Sequence, residues 1–264
     1  MRIMETATGR LATVDSGTGI PVLFVHGFPL SHAMWRPQVE DLRAHCRVIA
    51  PDLRGFGQSE VTAGTVTMEQ YADDLNALLD ALEIAEPVVF CGLSMGGYIA
   101  WQFLRKYRPR LRGLILCDTR AVADTPEAAQ GRNQMAERVL IEGASVAAEA
   151  MLPKLFAKST AVTQPGLVES VKQTMLATDP KGIAAALRGM AVRNSAVDWL
   201  PTLVVPAMVV VGIDDVISTA AEMRSIAAAI PGAEFLEVPD AGHMSTLENP
   251  AVVNTAIKKF ISRL

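Results

Sequence analysis

The chain is poor in cysteine: three among 264 residues, Cys46, Cys91 and Cys117, with no Cys-x-x-Cys pair. An odd count, with two of the three inside apolar runs, excludes a disulfide framework and leaves buried free thiols. The four histidines, His26, His32, His45 and His243, show neither His-Glu-x-x-His nor His-x-x-x-His spacing, so no metal site is expected. No run approaches 18 apolar residues, so no membrane span is expected. The first 14 residues lack the apolar core of a secretory signal, and no Asn-x-Ser/Thr sequon occurs. Like-charge runs, internal repeats and low-complexity segments are absent as well. With 24 Lys and Arg against 28 Asp and Glu, the net charge of −4 lacks the basic excess of a nucleic-acid binder. A dinucleotide fold would need Gly-x-Gly-x-x-Gly between a strand and a helix. The segment Gly55-Phe56-Gly57-Gln58-Ser59-Glu60 has no third glycine and runs into no immediate helix. The expectation is a cytoplasmic protein without metal or cofactor, with no nucleic-acid or membrane partner. Its oligomeric state is not encoded in any pattern.

What remains is a chain half apolar, long enough for one large core. Residues 21–25, 48–51, 88–91, 113–117, 208–211 and 234–238 are apolar segments of strand length. Near-continuous apolar strands are those buried on both faces of a mainly parallel sheet. Between them lie helix-like segments at 33–44, 68–82, 95–107, 220–230 and 250–261. The last is introduced by Asn249 and Pro250, a capping residue followed by proline at the first helical position. Alternation of this kind predicts a doubly wound α/β fold. Residues 11–14 would add an antiparallel edge strand. From 119 to 197 the alternation stops and only helix-like runs appear, punctuated by Pro126, Pro153, Pro165 and Pro180. The expected organisation is therefore a core of 1–118 and 198–264, with 119–197 as a helical cap or lid beside the ligand-binding end of the sheet.

Gly92-Leu93-Ser94-Met95-Gly96 spells Gly-x-Ser-x-Gly. Chance alone would place the pattern in roughly one chain in ten of this length, so its setting decides. An apolar strand ends just before it and a helix-like run starts just after, the strand–turn–helix context of a nucleophile elbow. In such a tight bend Gly92 and Gly96 remove side chains that would collide, and Gly97 lets the helix lie close to the sheet. A serine needs a base, and only His243 follows Ser94 in the chain, on a loop after the strand-like 234–238. The other histidines are read as structural, His26 beneath a loop. The base needs a carboxylate to hold its tautomer. Asp215, Asp214 and Asp118 all follow strands, with Asp215 preferred. For Asp118 the alternative is a loop carboxylate beside Arg120, or a helix cap. One oxyanion-hole donor would be the N–H of Met95, the residue after the nucleophile. The other would come from the loop after the strand at 21–25, where Phe28 is favoured.

His26-Gly27-Phe28-Pro29-Leu30, Asp52 to Ser59 (DLRGFGQS), Gly92 to Gly97 (GLSMGG) and Ala241-Gly242-His243 together resemble the α/β-hydrolase superfamily nearly end to end. The chain is most similar to its branch of bacterial carboxylesterases and 3-oxoadipate enol-lactonases, in which a helical cap lies between the sixth and seventh strands. The resemblance implies Ser94 as nucleophile, His243 as base, Asp215 as acid, and Phe28 and Met95 as oxyanion donors. Many relatives carry proline just beyond the acid, where this chain has Ile217-Ser218-Thr219. The DLRGFGQS segment is implied to be a structural turn, with no catalytic role for Asp52 or Arg54.

The substrate expected is a small to medium carboxylic ester, or an enol-lactone, in an apolar pocket. Leu30, Ile217, Met244, Leu155 and Phe156 are its candidate walls, with Phe28, Met95, Met151, Leu152 and Met190 nearby. A dicarboxylic lactone would need cationic groups, for which Arg120, Arg132, Arg138, Arg188 and Arg193 are candidates. Perhydrolase-like activity would use the same three catalytic residues, whereas haloalkane dehalogenation would need aspartate at position 94. A hydrolase-fold interaction protein would keep the same residues and turn over poorly, which a chromogenic ester assay would reveal.

Overall fold

The segment Pro21–Val25 turns its side chains alternately into two separate cores, Val22 and Phe24 into one, Leu23 and Val25 into the other. That is why it reads as unbroken apolar sequence. In the computed structural model, which describes residues 1–264, it is the third of eight strands. These are β1 (Arg2–Thr6), β2 (Gly9–Ser16), β3 (Pro21–Val25), β4 (Arg47–Pro51), β5 (Val88–Leu93), β6 (Leu111–Cys117), β7 (Ala207–Gly212) and β8 (Glu234–Val238). They form one sheet in the order β1-β2-β4-β3-β5-β6-β7-β8. Pairing is parallel from β4 to β8 and antiparallel for β1–β2 and β2–β4.

Eleven helices accompany the sheet. They are α1 (Arg36–Leu42), α2 (Met68–Ala81), α3 (Met95–Tyr107), α4 (Pro126–Glu142), α5 (Ser145–Leu155), α6 (Lys158–Thr163), α7 (Pro165–Leu176), α8 (Pro180–Ala191), α9 (Ala220–Ala229), α10 (Ser245–Glu248) and α11 (Pro250–Ile261). Tyr71 and Leu75 of α2, Ile99 and Phe103 of α3 and Met223 of α9 pack with Leu23, Phe90, Leu114 and Val209 on one face. Leu42 of α1 and Val253, Ile257 and Phe260 of α11 pack with Phe24, Cys91, Ile115 and Val210 on the other. Each large apolar side chain so buried contributes roughly 1.5–3 kcal/mol. The result is the expected α/β architecture, with helices alone between β6 and β7. No helix is long and apolar enough to cross a membrane.

Three local expectations are corrected. Residues 11–14 belong to β2, an interior strand; the edge is β1, whose sequence RIMET is mostly exposed and carries no apolar signal. The helix expected at 33–44 is a 3-10 turn, His32–Trp35, followed by α1. Ser31 caps the turn, and Pro37, at the start of α1, has no N–H with which to continue one uninterrupted ladder. Asn249 precedes α11 without capping it: its side-chain amide donates to the Pro239 carbonyl at 3.2 Å.

Four of the five helices α4–α8 contribute side chains to the two cores. Val139, Ile183 and Leu187 join the first, and Leu155, Val171 and Met175 the second. Helix α8 lies directly on the turn after β4, where a Cβ at Gly182 would stand 1.9 Å from the Gly55 carbonyl oxygen. The Thr178 hydroxyl donates to the Pro29 carbonyl at 3.2 Å, fastening the segment over the loop that follows β3.

Candidate active site

Strand β5 ends in a bend whose apex, Ser94, has φ 54° and ψ −111°, a conformation that non-glycine residues rarely hold. The bend exists because the neighbouring backbone closes on itself. A Cβ at Gly92 would lie 2.4 Å from the Gly96 carbonyl oxygen, and one at Gly96 would lie 2.2 Å from that of Val25. The Ser94 N–H donates to the Cys117 carbonyl at 2.9 Å, and the Thr119 hydroxyl donates to the Ser94 carbonyl at 2.7 Å. Strand β6 thus pins the apex from the side, and the half-exposed hydroxyl of Ser94 stands at the end of the sheet.

His243 lies on the loop between β8 and α10. Its Nε2 is 2.9 Å from Ser94 Oγ and its Nδ1 is 2.8 Å from Asp215 Oδ2. The His243 and Asp215 side chains are almost wholly shielded, at 2% and 0% exposure, so little water competes for that bond. The other oxygen of Asp215 accepts from the N–H groups of Ile217 (2.7 Å) and Ser218 (3.0 Å), which orients the carboxylate. Asp214 is exposed, its N–H tied to the Ala241 carbonyl.

Asp118 is neither a loop carboxylate beside Arg120 nor a helix cap. It is fully buried with φ 46°, accepts from the Gly212 N–H at 2.9 Å and from the Ser245 hydroxyl, and makes no bond to His243. Burial, then the neighbouring charge of Asp215, pushes its carboxyl well above the usual range. Arg120 instead pairs with Glu222 at 2.8 Å.

Met95 is the first residue of α3, so its N–H has no partner within the helix. The Phe28 N–H donates to no protein group, on a loop held from below by His26. There His26 Nδ1 donates to the Gly27 carbonyl at 2.9 Å, and Nε2 accepts from the Leu53 N–H at 2.9 Å. Burial lowers the pKa of this ring to about 4, so it stays neutral in its bracing role. The DLRGFGQS turn is likewise structural. Asp52 accepts from the Gln58 N–H, the His32 N–H and His32 Nδ1, while Arg54 forms a buried pair with Asp74.

A cavity of about 360 Å³ lies between Phe28 and Ile217 below and α4, α5 and α8 above. Of the expected wall residues, Ile217, Phe28 and Met151 line it. Leu155, Met244 and Met190 are buried in the packing, and Phe156 and Leu152 lie half-buried against the second core. Leu30 lines a separate cleft of about 370 Å³ beside α7. The cavity's remaining walls include Ala128, Gly131, Arg132 and Met135 on α4, and Ala147, Ala150, Met151 and Lys154 on α5. Both sets repeat at i, i+3, i+4, i+7, a single helical face. That spacing stands in the sequence but does not say which face looks inward. Among the candidate arginines only Arg132 reaches the cavity. It shares Asp124 with Arg193, whose guanidinium lies 4.2 Å over the Tyr98 ring. Arg138 and Arg188 form exposed pairs with Glu142 and Glu137. No group of His, Cys, Asp and Glu is arranged to hold a metal ion.

A family model described as alpha/beta hydrolase fold matches residues 20–250. The structure of a thermophilic esterase from Thermogutta terrifontis, with malate bound, superposes with a TM-score of 0.97 at 47% identity, covering 99% of this chain and 98% of that one. The enol-lactonase from Burkholderia xenovorans gives 0.91 at 29% identity, over 99% and 100% of the two chains. The 3-oxoadipate enol-lactonase 1 of Acinetobacter baylyi is 29% identical over 229 residues, 87% of this chain and 84% of that protein.

Proposed function

The chain belongs to the α/β-hydrolase fold family, and from that premise we propose that it is a serine hydrolase cleaving small to medium carboxylic esters through an acyl-enzyme. The observation that carries the reading is the unbroken line of hydrogen bonds from Ser94 Oγ through the His243 ring to Asp215. Ser94 is the nucleophile, His243 the general base, and Asp215 the group that keeps the His243 proton on Nδ1 and Nε2 free to accept.

In the acylation step Ser94 Oγ attacks the ester carbonyl carbon as its proton passes to His243 Nε2. The carbonyl oxygen becomes an oxyanion, held by the N–H groups of Phe28 and Met95 at the N-terminus of α3. One such donor contributes on the order of 3 kcal/mol in related acyl transfer. Collapse of the intermediate breaks the bond to the alcohol oxygen, which takes the proton from His243. Water then attacks the acyl-enzyme with His243 again as base, releasing the carboxylic acid and restoring Ser94. The segment 119–197 acts as the roof of the substrate cavity over a hydrolase core of 1–118 and 198–264.

A second reading, hydrolysis of an enol-lactone or another substrate bearing a carboxylate, is favoured by Arg132 and Lys154 on the cavity wall. Two enol-lactonases among the relatives and the malate bound to the Thermogutta terrifontis esterase support it. The test is a panel of p-nitrophenyl esters of increasing acyl length beside an enol-lactone, run on the wild type and Ser94→Ala. Loss of turnover by about 10⁴-fold or more in a folded variant is expected; retained ester turnover overturns the mechanism.

A further inference from the structure

Glu248, at the end of α10, is buried to 6% exposure and has no cationic partner. Its carboxylate is satisfied by four donors from two distant parts of the chain. Oε1 accepts from the N–H groups of Gly242 (2.8 Å) and Met244 (3.2 Å), the residues on either side of His243. Oε2 accepts from the Ala157 N–H (2.8 Å) and the Thr160 hydroxyl (2.6 Å), at the junction of α5 and α6. The two backbones are pressed together there. The Met244 N–H also reaches the Leu155 carbonyl at 3.1 Å, and a Cβ at Gly242 would stand 2.6 Å from Ala157 N. The Gln164 side chain donates to the Glu248 carbonyl at 3.2 Å, a third tie to the helical segment. Burial raises the Glu248 carboxyl above its ordinary range, although the four donors pull the other way.

We propose that Glu248 is the positioning residue of the active site: it holds the loop on both sides of His243 and fastens that loop to the helical roof, so that the roof sets where the ring meets Ser94. This rests on the reading of His243 as the base for Ser94. A buried carboxylate with no cation is costly unless every oxygen is satisfied. Here its two oxygens divide the work between the two backbones, which a neutral amide cannot do. Glutamine, with its oxygen toward the loop, would set its NH₂ against the Ala157 N–H and keep only the Thr160 hydroxyl as a roof-side partner, weakening that tie.

Glu248→Gln tests this directly, measured with a p-nitrophenyl ester beside the wild type, Thr160→Val and the double variant. A misplacement of the ring by a fraction of an ångström should lower kcat roughly tenfold and leave KM within about twofold. Thr160→Val, which removes one roof-side donor, should lower kcat by a smaller factor. The double variant should lose less than the two single losses combined, because both changes weaken the same tie. Glu248→Gln with kcat within about twofold of wild type, a loss confined to KM, or fully additive losses would each overturn the proposal. Should Glu248→Gln fail to fold, Thr160→Val decides: an unchanged kcat overturns it. Ser94→Ala serves as control, since turnover by that variant would remove the underlying mechanism rather than the role of Glu248.

Discussion

The hydroxyl of Ser245 donates to the carboxylate of Asp118, not to that of Asp215. Two aspartates are buried side by side behind His243, and this bond separates their work. Asp215 faces the imidazole, while Asp118 joins the start of α10 to the end of β7 through Ser245 and the Gly212 N–H. Asp215→Asn should therefore lower kcat by on the order of 10³–10⁴, because an amide NH₂ toward Nδ1 favours the wrong tautomer. Asp214→Asn should leave kcat within about threefold. Steady-state kinetics on the two variants checks this; comparable losses would mean that the exposed neighbour shares the role.

Asp118 carries a prediction of opposite sign. Its carboxyl is pushed up by burial and by Asp215, so the folded state holds the proton more tightly than the unfolded chain does. Its contribution to stability is full below the unfolded pKa and is lost as pH rises through the raised folded value. Asparagine can accept from Gly212, donate to Ser245 Oγ and tolerate the positive φ, and it never ionises. The melting temperature of Asp118→Asn relative to wild type should thus rise from pH 5 to pH 8, by about 2–4 °C per kcal/mol of relieved cost. A difference that is flat or falls over that range would show that no ionisation penalty resides there.

These residues also mark where the sequence was legible. The elbow could be read because its determinants are contiguous: two glycines, a serine, a strand before and a helix after. The approach of His243 to Ser94 could be anticipated because no other histidine follows Ser94. Asp215 could be preferred but not separated fully from Asp118 and Asp214, since all three follow strands, and it is the turn of the chain that brings Asp215 to the His243 ring. Strand β1 was missed because it is a mostly exposed edge strand with a single apolar residue, Met4, packed against the core, too little to imprint a pattern. Leu30 and Met244 looked like pocket walls because they are apolar and flank the site residues in sequence, and Leu155 because it lies in the helical segment; Leu155 and Met244 turn into the packing, and Leu30 faces a separate cleft. Glu248 left no trace at all, because three of its four donors are backbone N–H groups, which every residue type except proline supplies.

His26 makes the fold sensitive to acid. Burial holds its pKa at about 4 against 6.5 for the free group, with Asp52 and His32 as the charged neighbours. Its stabilising contribution is full above pH 6.5 and is lost as pH falls toward 4, up to ~3 kcal/mol. His26→Gln keeps an acceptor for the Leu53 N–H and should cost about 1 kcal/mol at pH 7 for the lost bond to Gly27. It should, however, lose less stability than wild type between pH 7 and pH 4.5. Urea denaturation of both proteins at the two pH values measures this, and equal losses would place the acid sensitivity elsewhere.

The cavity wall makes the last prediction. Asp124 is shared by Arg132 and Arg193, so two positive charges meet one negative charge there, and Lys154 has no acidic partner. A substrate whose acyl part ends in a carboxylate should gain from that excess, and a neutral ester of equal length should not. Lys154 is exposed, so Lys154→Met should raise KM for the half-ester of a dicarboxylic acid by no more than about fivefold. Arg132→Met removes a half-buried guanidinium and should raise it about tenfold or more. Neither change should move KM for the neutral ester, and the discrimination in the wild type should shrink as salt is added. Equal KM shifts for charged and neutral esters would mean that these side chains act through packing, and the cavity would then favour uncharged acyl groups.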